Sequence, residues 1–148
     1  MENSLKPGNS RMDGYRGAQP GPEALLPLIA GEWTDAATYL ALSRSLPGRQ
    51  GEALRRLFQE EQAHAACLKG IYTLMTGRRP LVRAPGPRQE PVEITLRRCY
   101  GREMQSLAAY EARTGDREYG PVFARLAEQE RQHCRTVLEI IGSLHPAP

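Results

Sequence analysis

Cysteine is scarce in this chain of 148 residues: Cys67, Cys99 and Cys134 stand far apart, an odd and unclustered set. That excludes a disulfide framework and points to a reducing, cytoplasmic compartment. No C-x-x-C pair occurs, so neither a zinc ribbon nor an iron–tetrathiolate module can be built. Charge of one sign is also lacking, and a net +3 is too weak to argue for a nucleic-acid partner. No apolar run approaches the ~18 residues of a membrane span. Met1–Pro22 is polar and has no apolar signal-peptide core. Alternating β-branched runs are missing as well, so strands are not expected. What is present, 40% hydrophobic residues on a single-domain length, is enough to fill one core.

Residues 1–21 hold four Gly and two Pro and little apolar content, and are expected to form a flexible N-terminal arm ahead of one domain over 22–148. Punctuation divides that domain. Leu46–Gly51 reads as a turn, Gly77–Pro91 as a longer break, and Thr114-Gly115-Asp116 as a second tight turn. Four segments remain, roughly 22–46, 50–77, 91–114 and 117–144, each long enough for a helix. Pro27 implies a helix start near it or a local kink.

Helical period is plain in the second and fourth segments. Leu54, Leu57, Glu61, His64, Leu68, Ile71 and Met75 step by three and four, as do Phe123, Leu126, Glu130, His133, Val137, Ile140 and Leu144. Leu25, Leu28, Glu32, Tyr39, Leu42 and Leu46 mark a similar stripe on the first; Leu96, Cys99, Glu103, Leu107 and Tyr110 mark a weaker one on the third. These seams predict an all-α four-helix bundle of two antiparallel hairpins. The 13 residues Arg78–Glu90 join the hairpins. Extended, they reach ~40 Å, about the length of a 25-residue helix, so a long crossover between opposite ends is expected.

Each apolar stripe of the second and fourth segments is broken once, by an E-x-x-H motif: Glu61/His64 and Glu130/His133. Spacing i, i+3 puts both side chains on one face, able to reach one metal centre. The pair Glu32/Glu61 is centred on the first turn, and Glu103/Glu130 on the second. Residues equidistant from the turn of an antiparallel hairpin share a depth, so Glu32 should face Glu61/His64 and Glu103 should face Glu130/His133. Tyr39 follows Glu32 by seven, and Tyr110 follows Glu103 by seven. The unit Glu-x6-Tyr, turn, Glu-x-x-His thus occurs twice, about 70 residues apart, an internal duplication.

Four carboxylates and two imidazoles on four helices match the ligand set for a pair of iron or manganese ions. Two divalent ions carry the charge that four glutamates neutralise; without metal, the same carboxylates would be costly to bury ionised. Glu61 and Glu130 are expected to bridge, Glu32 and Glu103 to be terminal ligands, and His64 and His133 to bind one ion each. Tyr39 and Tyr110 would donate to and orient carboxylates. Glu60, Glu111 and Glu128 lie off this face and read as solvated. Cys67 and Cys134, Tyr72 and Tyr100 read as packing residues, and Trp33 as facing a neighbouring helix or subunit.

The duplicated Glu…Glu-x-x-His pattern over about residues 22–144 resembles the ferritin-like superfamily, and the Glu-x6-Tyr element is most similar to its rubrerythrin-type di-iron domain. The resemblance implies a ferritin-like four-helix bundle, a homodimer, and a non-haem oxidoreductase whose two iron ions (alternatively manganese) react with hydrogen peroxide or dioxygen. Rubrerythrins carry a rubredoxin-like domain that these cysteines cannot build, which implies an external electron donor protein. Their additional glutamate on the third helix has no counterpart at Ser106, whereas Asp35, one turn after Glu32, could add a carboxylate. Alternative outcomes are a ferroxidase or iron-handling module, a metal-binding module with little turnover, and manganese catalase-like disproportionation of peroxide.

Overall fold

Proline and glycine mark where the helices start and stop. The computed structural model describes residues 21–86 and 88–146, so nearly all of the 1–21 arm lies outside the described residues. A 3-10 turn, Pro22–Ala24, leads into α1 (Leu25–Ser45), followed by α2 (Gly48–Thr76), α3 (Val92–Glu111) and α4 (Gly120–Ser143). No strand occurs among the described residues. Pro27 is the third residue of α1, where its missing N–H falls among first-turn donors that have no helical partner. Leu46, forced extended by the proline after it, ends α1 with φ −118° and ψ 119°. Gly77 ends α2 in the left-handed region, its N–H bonded to the Thr73 carbonyl at 2.8 Å.

The third and fourth helices are shorter at the facing ends than their patterns predict. The Asp116 carboxylate accepts from the N–H groups of Glu118 (2.9 Å) and Tyr119 (2.7 Å). This holds the chain in a turn until Gly120 and delays α4 by three residues.

The duplication extends to the turns. Gly51 lies ten residues before Glu61, and Gly120 ten before Glu130. A Cβ on Gly51 would collide with the Leu46 carbonyl oxygen, and one on Gly120 with that of Thr114. Each glycine therefore lets the returning helix pass close to the backbone of its hairpin turn. Gly51→Ala and Gly120→Ala are each expected to cost about 1–3 kcal/mol, because backbone must shift to admit the methyl group. Thermal unfolding checks this; a substitution that leaves the midpoint unchanged would contradict the close approach.

Two apolar clusters make up the core. One joins Leu25 and Ile29 of α1, Leu68 and Ile71 of α2, Tyr110 of α3, and Phe123, Leu126 and Ala127 of α4. The other joins Tyr39 and Leu42, Leu54 and Leu57, Leu96 and Cys99, and Val137 and Ile140. Each cluster takes the beginnings of two helices and the ends of the other two: α1 runs parallel to α4 and antiparallel to α2 and α3. Between α2 and α3, Val82 packs on the first cluster, and Glu90 pairs with Arg98 of α3. The chain between the two clusters, on every helix, supplies the polar residues of the next section.

Candidate metal centre

Six side chains from four helices converge between the apolar clusters. Glu32 of α1, Glu61 and His64 of α2, Glu103 of α3, and Glu130 and His133 of α4 are all buried, none more than 3% exposed. The two imidazoles stack with centroids 5.3 Å apart. His64 Nδ1 lies 3.0 Å from Glu130, 3.4 Å from Glu61 and 3.7 Å from Glu32. His133 Nδ1 lies 2.8 Å from Glu61, 3.4 Å from Glu130 and 3.5 Å from Glu103. Glu61 and Glu130 thus each approach both imidazoles, whereas Glu32 lies beside His64 and Glu103 beside His133. Glu61, His64, Glu130 and His133 offer ligand atoms all within 4.8 Å of one another.

The tyrosines link the two hairpins. Tyr39 of α1 donates to Glu103 of α3, and Tyr110 of α3 donates to Glu32 of α1. Burial and the neighbouring carboxylate raise the pKa of both phenols well above the ordinary value, so each stays a donor. Each leaves one oxygen of its glutamate, Glu103 Oε2 and Glu32 Oε2, without a partner.

The outer nitrogens of the imidazoles are held too. His133 Nε2 lies 2.7 Å from Glu60, and His64 Nε2 lies 2.8 Å from Gln129. This corrects the reading of Glu60 as a solvated surface charge. Its side chain is half exposed, yet the carboxylate reaches across from α2 to α4. Spacing within one helix could not show that contact. The signal available was position: Glu60 and Gln129 each immediately precede the glutamate of an E-x-x-H motif.

Asp35, which could have added a carboxylate, takes another partner. It is buried but does not join the cluster; it pairs with Arg102, which also donates to the Gly31 carbonyl at 3.1 Å. Burial pushes the Asp35 carboxyl up to about 7, against the pull of Arg102. This guanidinium fastens α1 to α3 beside Glu32 and Glu103. Lys69 stacks on the Trp33 ring at 4.3 Å, and the three cysteines are free. Tyr72 and Tyr100 pack against the apolar clusters.

The donor set could hold a pair of cations. Glu32 Oε2, Glu61 Oε2, His64 Nδ1, Glu103 Oε2 and both oxygens of Glu130 are buried with no hydrogen-bond partner. A buried unsatisfied polar atom costs about 1–3 kcal/mol, more when charged, so six in one place are not a product of packing. They converge on one another, an arrangement that a pair of metal ions could satisfy together.

Protonation takes that role in the metal-free state. Burial lowers the imidazole pKa values, but the surrounding glutamates outweigh it, taking His64 up to about 12 and His133 further in the same direction. Burial, reinforced by the neighbouring carboxylate, raises Glu61 well above the usual range and Glu130 to about 8. For Glu32 and Glu103 burial is outweighed by hydrogen bonds from within the cluster, and Glu103 falls to about 2. Within each carboxylate pair, Glu32/Glu61 and Glu103/Glu130, one carboxyl is thus shifted up and the other down.

Comparison of the chain with protein-family models, curated proteins and solved structures finds no match. The fold and site define an all-helical, four-helix bundle with a buried glutamate–histidine cluster that could hold a pair of metal ions. No described helix is long and apolar enough to cross a membrane.

Proposed function

We propose that the chain is a ferritin-like di-metal protein of the rubrerythrin type, a non-haem oxidoreductase that reduces hydrogen peroxide or dioxygen with electrons from an external donor protein. The observation that carries this reading is the convergence of six buried side chains from four helices, five of which bring unpartnered atoms to the same place. An oxygen-rich set with only two imidazoles suits iron, or alternatively manganese, over structural zinc. Arg78–Glu90 acts as the long crossover of such a fold; Val82 on one apolar cluster and Glu90 beside α3 support that path.

In this reading Glu61 and Glu130 would be shared between the two ions, because each approaches both imidazoles. Glu32 with His64, and Glu103 with His133, complete the two halves. When bound in reduced form, the metal pair supplies the two electrons that break the O–O bond of peroxide. Tyr110 and Tyr39 hold Glu32 and Glu103 by one oxygen each, leaving the other aimed inward. The two apolar clusters above and below keep bulk water away. Reduction of peroxide to two waters also consumes two protons, which solvent must deliver.

The test is anaerobic loading with ferrous iron followed by rapid mixing with peroxide or with dioxygen. Two irons per chain and faster oxidation by peroxide are expected. An inert response to peroxide beside rapid reaction with dioxygen would overturn the peroxidase reading in favour of ferroxidase chemistry.

A further inference from the structure

The two halves of the centre are related by the duplication, yet the residues that meet their outer imidazole nitrogens differ in charge. Leu54, Leu57, Glu61 and His64 correspond to Phe123, Leu126, Glu130 and His133, each 69 positions on. At the same offset, Glu60 corresponds to Gln129. Each of these two residues reaches the opposite helix and meets the outer nitrogen of an imidazole, at 2.7 Å for Glu60 with His133 and 2.8 Å for Gln129 with His64. The geometry is repeated; the charge is not.

Resting on the di-metal reading above, we infer that Glu60 is a positioning residue that makes the two metal positions unequal, so that the half served by His133 binds its ion more tightly than the half served by His64. Both partners accept a hydrogen bond from Nε2–H and so fix the same tautomer, with Nδ1 left to face the cluster. A carboxylate draws that proton more strongly than an amide oxygen does. The imidazole it holds is then the better electron donor through Nδ1, as in carboxylate–histidine–metal arrangements. Glu60 also brings a negative formal charge to one half of the centre and not the other. Exposure supports a role in tuning over one in packing. Glu60 is 51% exposed, so its side chain is not needed to fill the core, yet its carboxylate turns inward to the buried His133.

Calorimetric titration of the metal-free full chain with cobalt(II), read together with the cobalt absorption bands, tests the inference. Two ions should bind in two resolved steps, the first tighter by about 10- to 100-fold, the range found when a partner of a ligating histidine is altered. Glu60→Gln keeps an acceptor and removes the charge; it should weaken the first step by that factor and leave the second unchanged. Gln129→Glu should strengthen the second step and leave the first alone. A general loss of structure, or simple repulsion between the two ions, would instead move both steps together. Wild-type protein binding two ions with one affinity, or Glu60→Gln shifting both steps equally or neither, would overturn the inference while leaving the metal centre standing. Failure of the wild-type chain to bind cobalt at all, with ferrous and manganous ions equally inert, would remove the di-metal reading and this inference with it.

Discussion

If the proposed metal pair is bound, Glu130→Ala is expected to remove both ions, not one. The Glu130 carboxylate sits between the imidazoles, with one oxygen 3.0 Å from His64 Nδ1 and the other 3.4 Å from His133 Nδ1, and neither oxygen has a hydrogen-bond partner. A carboxylate placed this way would serve both ions, whereas one beside a single imidazole would serve one. Altering only a partner of a metal-binding histidine costs about 10- to 100-fold in affinity, so removing a bridging ligand should cost more than about 100-fold for the pair. Glu103→Ala, by contrast, touches only the half at His133 and should leave one ion bound, since Glu103 approaches that imidazole alone. Metal analysis after gel filtration, with circular dichroism to confirm that both variants stay helical, separates the two outcomes. One ion retained at normal affinity in Glu130→Ala would refute the bridging role.

Metal uptake at pH 7 should release about four protons per pair. In the metal-free state both imidazoles and the Glu61 and Glu130 carboxyls are shifted toward their protonated forms, and Glu32 and Glu103 toward their ionised forms, a balance of two cations against two anions. In the metal-bound state two divalent ions offset four carboxylates. Both states are neutral overall, so burial is tolerated in each, and binding is an exchange of four protons for two ions. Titration calorimetry in buffers of different ionisation enthalpy counts them; fewer than two would contradict this charge balance.

The same groups set how the metal-free bundle responds to pH. Glu130 and His64 have folded pKa values raised above their ordinary ones. Glu130 therefore loses its stabilising contribution as pH rises from 4.5 to about 8, and His64 as pH rises from 6.5 to about 12. Glu103, lowered to about 2, has the opposite sign and loses its contribution as pH falls below 4.5. The metal-free protein should be most stable near pH 5 and its melting temperature should fall toward pH 9. The metal-loaded protein, with those protons already gone, should show a flatter profile by calorimetric melting.

Much of this was legible before any coordinate. Helical period is a local property: steps of three and four residues place Leu54, Leu57, Glu61, His64, Leu68 and Ile71 on one face whatever the partner helix does. Turn chemistry is local as well, and the Leu46-Pro47-Gly48 and Thr114-Gly115-Asp116 breaks lie where the chain reverses. From these two facts followed the all-helical class, four helices, and six inward ligand candidates at one depth. What sequence spacing does not carry is the rotation and axial offset of one helix against another. That decided that Tyr39 serves the glutamate of α3 and Tyr110 that of α1. It turned Asp35 toward Arg102 and away from the cluster. It brought the half-exposed Glu60 onto His133 and Gln129 onto His64, two contacts between side chains 73 and 65 residues apart. The amino-acid sequence by itself determined which faces are buried and which candidate ligands they bear, because periodicity is written along a single helix. Only the tertiary structure decided which side chain meets which, because those distances depend on how four helices pack together.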